Sequence, residues 1–272
     1  MGFQKLVRYE YDGSVHYGDL LESSDAGFKV AKLAGNLADG FSTTGAEPVR
    51  VMKLLCPLDR TPLVQCIGVN YRQHADEAKM PLPTYPVIFS KPSDTLAGPH
   101  DDIPIHTDAQ PMMDFEGELT VIIGRDAKDV SEAEALDYVL GYTAGNDVSA
   151  RNFQLKDAAG GQFGYSKSFD AFAPIGPAIW SAESVRDPQT LQLTTRVNGE
   201  VRQTTNTNDM IWSVRQIIAH LSRGRTLRSG TVIMTGTPSG VGFFQKRFLQ
   251  HGDVVEVEIE GLGKVANKMV FS

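Results

Sequence analysis

The sequence predicts a β-rich α+β fold, a rolled or barrel-like sheet preceded by a small β-rich unit. Three observations carry this. Most patterned segments are short β-branched or aromatic runs, among them "KLVRYEY", "DFEGELTVIIG", "LQLTTRVNG" and "DVVEVEIEGLG". Segments with helical spacing are few. Pro57 and Pro62 punctuate the chain after an early set of strand signals, which marks a boundary near residue 60. Residues 1–60 are expected to form the small unit and 61–272 the main domain.

In the first unit, "KLVRYEYDGSVHYGDL" holds two strand-like runs around Asp12-Gly13, a dipeptide suited to a tight hairpin turn. "GVNYRQHADEAKMPLP" places His74 and Glu77 three apart, on one face of a helical turn. The Pro-rich "MPLPTYP" beside it makes this segment a candidate mobile lid. In "DFEGELTVIIG", alternation puts Phe115, Gly117, Leu119, Val121 and Ile123 on one face and Glu116, Glu118 and Thr120 on the other. "SEAEALDYVLGY" reads as a helix, with Ser131 and Glu134 as a capping box before an apolar face. "NDMIWSVRQIIAHLSRG" is the best helix: Met210, Ile211, Val214, Ile217, Ile218 and Leu221 fall at helical spacing, and Gly224 follows as a stop. "TVIMTGT" then reads as a strand running into the Gly-rich "MTGTPSGVGF".

The composition excludes several classes. Hydrophobic residues make up 41% and charged residues 22% of 272, ordinary values for a soluble globular chain. A net charge of −7 argues against a nucleic-acid footprint. No run approaches the roughly 18 apolar residues of a membrane span. The start, "MGFQKLVRYE", lacks the apolar core of a secretory signal, and Leu6 breaks the myristoylation pattern. Cys56 and Cys66 are the only cysteines, so neither a disulfide framework nor zinc-finger spacing is present. A reducing, cytoplasmic setting is expected, with a mitochondrial one also open.

Several residues have side chains suited to chemistry. Glu116 and Glu118, two apart on one strand face, lie roughly 7 Å apart at the backbone and can converge on one point. A hard divalent cation would relieve their repulsion, whereas on an exposed edge both would simply be solvated. The Gly117 between them points to a close backbone approach. His74 steadied by Glu77 suits a general base, but also describes an ordinary surface pair. In "GYTAGNDVSARNFQ", Asp147 offers a third carboxylate, and Arg151 a fork for a substrate carboxylate. The same stretch also reads as an N-cap at Asp147 or Ser149 with a solvated Arg. Lys167, among small and aromatic residues, either balances acids and stabilises an oxyanion or snorkels to solvent. "MTGTPSGVGF" has neither P-loop nor Rossmann spacing and reads as a turn whose amides and Thr237 hydroxyl meet an anionic substrate. There is no HExxH helix and no GxSxG elbow.

Taken in order, "GVNYRQHADE", "FSKPSD", "DFEGELTVIIG", "GYTAGNDVSARNFQ", "SKSFDAFAPIGP" and "GTPSGVG" closely resemble the fumarylacetoacetate hydrolase family over about residues 60–271. The preceding unit is similar to the N-terminal domain of its longer members. The resemblance implies a rolled mixed β-sheet core, a homodimer, and Mg²⁺ (or Mn²⁺ or Ca²⁺) held by Glu116, Glu118 and Asp147. It further implies Lys167 as the site lysine, His74 and Glu77 as a lid-borne dyad, and Arg151, Gln154 and Thr237 as substrate contacts, with Lys91 a weaker candidate for the same pocket. Asn152, Ser166 and the expanded "LKDAAGGQFGY" depart from the family pattern, which puts substrate choice in doubt.

The activity so implied is divalent-metal-dependent chemistry on a small 2-keto or β-diketo acid through a metal-bound enolate. C–C bond hydrolysis of the acylpyruvate or fumarylacetoacetate type ranks first. Decarboxylation or keto–enol tautomerisation of oxaloacetate follows, then tailoring of a secondary metabolite. A non-enzymatic, metal-stabilised binding protein is the contrasting expectation, and a serine hydrolase lacks its nucleophile motif.

Overall fold

The computed structural model describes residues 2–272. Its main sheet is ordered Gly40–Thr43, Gly27–Asn36, Ser14–Ser24, Lys5–Tyr11, Ala173–Ser181, Val139–Asn146, Gly117–Ile123, Val232–Met234, Val64–Gly68, Val87–Lys91. Most neighbours are antiparallel, but Val232–Met234 and Val64–Gly68 run parallel, so the sheet is mixed. A second sheet, ordered Ile103–Ile105, Gly263–Phe271, Val254–Ile259, Gln192–Val197, Glu200–Asn206, packs across it. The β-rich α+β architecture expected from the strand pattern is thus present.

The strand Gly117–Ile123 lies in the middle of the main sheet and is buried along its whole length. Leu119, Val121 and Ile123 join Leu193, Val257 and Ile259 in the core between the two sheets. Ile122 faces the other way, into a second cluster with Val64, Ile175 and Met234. Such two-sided burial explains the near-continuous apolar run after Glu118.

The Asp12-Gly13 hairpin forms as expected between Lys5–Tyr11 and Ser14–Ser24, with φ of +55° and +72° at the two turn residues. Val7, Tyr9, Leu20, Val30, Val51 and Leu54 build a small core of their own around this part of the chain. The same strands also continue the main sheet, since Lys5 and Leu6 pair with Trp180 and Ile179.

Two helix expectations need correction. Ser131 and Glu134 do exchange hydrogen bonds, with Ser131 Oγ and Glu134 Oε2 at 2.6 Å. Only a 3-10 turn, Ala135–Tyr138, follows before the chain enters the strand Val139–Asn146. That stretch is claimed by strands on both sides, which outweighs the local cap signal. The later helix is shorter than its apolar spacing suggests, Val214–Leu221, because Ser213 and Gln216 form a complete capping box there. Met210 and Ile211 lie before it, and the Ile211 amide is tied to Asn70 O.

Gly117 answers to a steric demand. A Cβ built there would lie 2.1 Å from the buried Thr195 Oγ1. Gly117→Ala should therefore destabilise the fold by about 1–3 kcal/mol, the usual cost of overpacking. Adding Thr195→Ala removes that oxygen and should recover part of the loss in urea unfolding. If the double variant recovers nothing, the close approach is not the reason for glycine at this position.

Candidate metal centre and catalytic pocket

Glu116 and Glu118 flank Gly117 at the start of the central strand, and Asp147 directly follows Val139–Asn146 on the neighbouring one. Gly117 pairs with Asn146 in the register, and the Asp147 amide donates to Glu116 O at 2.8 Å. The sheet thus brings the third carboxylate beside the first two. One oxygen from each lies within 4.8 Å of the others, and all three side chains are buried. The solvated-edge reading of Glu116 and Glu118 is therefore excluded.

Two lysines and an arginine surround the triad. Lys167 Nζ donates to Glu116 Oε2 at 2.7 Å, Asp147 Oδ2 at 2.6 Å and Ser149 Oγ at 2.8 Å. Burial alone would lower the Lys167 pKa, but Asp147 and Glu116 outweigh it and hold the ammonium above its ordinary value. Lys91 is wholly buried behind Asp147, donating to Asp147 Oδ1 at 2.6 Å and to Phe172 O at 2.5 Å. Arg151 spreads its guanidinium over Asp114 Oδ2 (2.8 Å), Glu116 Oε1 (2.5 Å) and Gln154 Oε1 (3.0 Å). Burial works against a charged Glu116, yet Arg151 and Lys167 prevail and hold its carboxyl below the usual range.

Glu118 is the exception. Burial, then Asp147 and Glu116, push its carboxyl well above the ordinary value, against weaker help from Lys167 and the Gly236 N–H. Its Oε2 accepts from Gly236 N at 2.6 Å, and among the described residues no Lys or Arg pairs with it. Three crowded carboxylates, one without a cationic partner and all offering oxygen, fit a hard divalent cation. The triad could hold such an ion.

The dyad stands across a pocket of about 210 Å³. His74 and Glu77 lie on the short helix Arg72–Ala78, with His74 Nδ1 and Glu77 Oε2 at 3.1 Å. Glu77 Oε1 accepts from Gly240 N at 3.0 Å, and the His74 ring meets Phe244 edge-on. His74, Glu116, Arg151, Gln154, Lys167 and Thr237 all line this pocket, with Met80, Phe89, Phe163, Phe243 and Phe244 as its apolar walls. Lys91 does not line it. The Thr237 hydroxyl donates to Gly117 O at 3.0 Å and accepts from Gln203 Nε2 at 2.8 Å, so its hydrogen is already engaged.

Sequence reasoning passed over two supporting residues. Asp114, fully buried, accepts from Arg151 and from the amides of Phe115, Gly242 and Phe243, fixing the arginine to the following loop. It was visible as the first of three acids in five positions. Gln203, in the strand Glu200–Asn206, had no signal in its local sequence, because its partners are distant in the chain.

The profile described as the fumarylacetoacetate (FAA) hydrolase C-terminal domain matches residues 63–270, and the chain belongs to the fumarylacetoacetate hydrolase family. It is 42% identical over 254 residues to human oxaloacetate tautomerase FAHD2A, mitochondrial, covering 92% of this chain and 78% of that one. It is 41% identical over 262 residues to the fumarylacetoacetate hydrolase domain-containing protein 2 homolog of Dictyostelium discoideum, covering 92% of this chain and 83% of its relative. Among solved structures, the 2-hydroxyhepta-2,4-diene-1,7-dioate isomerase of Mycobacterium marinum superposes with a TM-score of 0.86 at 36% identity, over 99% of both chains. No helix among the described residues is long and apolar enough to cross a membrane.

A raised Glu118 carboxyl would make uptake of a cation at the triad pH-dependent. A proton on Glu118 must leave before it can ligate, so proton and cation compete as pH falls through that raised pKa, and affinity rises as pH rises. Titration calorimetry in buffers of different ionisation enthalpy should show proton release on cation binding that fades as pH rises. Glu118→Gln should bind Mg²⁺ or Mn²⁺ far more weakly and lose the proton release. Release of equal size in that variant would exclude Glu118 as its source.

Proposed function

We propose that this chain is a divalent-cation-dependent tautomerase of a small 2-oxo acid, with oxaloacetate the first candidate and Mg²⁺ the cation. Mn²⁺ and Ca²⁺ are candidate substitutes. The observation that carries this is one small pocket lined by Glu116 of the carboxylate triad, by Lys167 and by His74 of the dyad, with Glu118 and Asp147 clustered behind Glu116 and Glu77 bonded to His74. Its volume of about 210 Å³ lies below that of drug-sized sites and suits a short acid. The names of relatives, an oxaloacetate tautomerase and a dienedioate isomerase, both denote proton relocation.

Glu116, Glu118 and Asp147 would hold the cation, which would supply Lewis-acid chemistry toward a 2-oxo carbonyl. The rest falls to side chains. With Nδ1 engaged by Glu77, the His74 nitrogen left to accept and return a proton is Nε2. Glu77, pinned by the Gly240 amide, orients the ring. Lys167 adds positive charge where enolate oxygen charge develops. Arg151 and Gln154 orient the substrate carboxylate. Phe89, Phe163, Phe244 and Met80 keep water from the reacting carbon.

C–C bond hydrolysis of an acylpyruvate, first in rank on sequence grounds, is the second reading. The same dyad favours it, since a base able to move a carbon-bound proton can also activate water. A homodimer, which rests on the family resemblance, and a cytoplasmic or mitochondrial location, the first resting on cysteine usage and the second on the name of the human relative, belong to this proposal as well.

Incubating the Mg²⁺-loaded protein with oxaloacetate and a set of acylpyruvates, with products followed by NMR, tests the choice. Accelerated keto–enol exchange without cleavage supports tautomerisation, while appearance of pyruvate and a carboxylic acid from an acylpyruvate supports hydrolysis. EDTA should abolish either activity and Mg²⁺ restore it. His74→Ala should lower the rate by about 10²–10⁴-fold, as removal of a general base does. A rate within about twofold of wild type would remove His74 from that role.

A further inference from the structure

We infer that Gln203 is a positioning residue that sets the His74–Glu77 dyad at its working distance from the carboxylate triad. This rests on reading dyad and triad as one site. The two halves stand on different supports, the triad on the central sheet and the dyad on the short helix Arg72–Ala78. The loop 235–241, "TGTPSGV", touches both. At one end the Gly236 amide donates to Glu118 Oε2, and at the other the Gly240 amide donates to Glu77 Oε1.

Between those ends, Gln203 holds the loop. Its Nε2 donates to Thr237 Oγ1 at 2.8 Å and Pro238 O at 3.0 Å, which uses both amide hydrogens. Its Oε1 accepts from Gly117 N at 3.0 Å, the residue between Glu116 and Glu118. Thr237 Oγ1 closes the circuit on Gly117 O. One buried amide from the second sheet thus refers the loop to the backbone that carries two of the three carboxylates.

Proton transfer is sensitive to such placement, because a shift of about 1 Å in a reacting group costs on the order of 10²-fold in rate. A Gln that merely satisfied a buried loop would govern stability alone. A Gln that positions the dyad governs turnover while cation binding persists, since none of the three carboxylates accepts a hydrogen bond from its side chain.

The test uses the full Mg²⁺-loaded chain and two variants. Gln203→Met keeps the length of the side chain and loses every polar contact. Thr237→Val breaks the same circuit from the loop side. For each, kcat and KM for oxaloacetate tautomerisation, Mn²⁺ affinity, and amide hydrogen exchange over residues 236–242 are measured well below the unfolding temperature. In Gln203→Met, kcat should fall about 10- to 100-fold with KM and Mn²⁺ affinity within about threefold of wild type. Exchange over 236–242 should accelerate, with Thr237→Val moving the same way to a smaller extent. A folded Gln203→Met with kcat within about twofold of wild type, or with unchanged exchange, overturns the inference. If Gln203→Met fails to fold, unchanged kcat and exchange in Thr237→Val overturn it instead. Should wild-type protein turn over no 2-oxo acid, the proposed function falls, and the exchange data alone decide whether Gln203 holds the loop.

Discussion

Three carboxylates gathered within 4.8 Å inside a protein are the constraint from which the site is built. Unpaired, such a group would cost several kcal/mol per ion in lost hydration, or would take up protons. The surrounding structure divides that cost unequally. Lys91 and Lys167 share Asp147, while Lys167 and Arg151 share Glu116. Against Glu118 stand burial, Asp147 and Glu116, which push its carboxyl upward, and the Gly236 amide and the more distant charge of Lys167 offset them only in part. The positive side chains therefore leave one particular oxygen donor under-compensated. That imbalance suits the triad to a cation.

The legible parts of the sequence were those in which local pattern and tertiary role coincide. Alternation placed Glu116 and Glu118 on one face because the extended chain runs directly from Glu116 into the strand Gly117–Ile123. The Asp12-Gly13 turn was readable because a tight hairpin selects its own residues. His74 and Glu77 were paired by helical spacing, and the helix exists. The family order of motifs then joined Asp147, Arg151, Gln154 and Lys167 to them, residues that no single pattern connects.

What failed or was missed depends on contacts distant in sequence. Ser131 and Glu134 form the expected cap contact, yet the residues after them are taken by two flanking strands. Lys91 resembled any other lysine near the pocket, and only the fold shows it facing Phe172 O and Asp147. Gln203 is 86 residues from Gly117 and 34 from Thr237, so nothing near it in the chain announces its partners. The hydroxyl of Thr237 looked free for a ligand because its acceptor, Gly117 O, is 120 residues away.

The contact between Gly240 and Glu77 has a consequence for how such a site can change over generations. Its donor is a main-chain amide, which every residue but proline possesses, so ordinary substitution at position 240 does not delete the donor itself. Geometry restricts that position instead: φ is +102°, and an added Cβ would fall 2.0 Å from Arg202 O. Drift at the loop is thus blocked by shape, whereas drift at the helix is blocked by chemistry, because Glu77 alone supplies the acceptor. A lineage exploring new reactions could lose or exchange the acid on the helix in a single step and keep the loop intact as a docking edge for whatever replaces it.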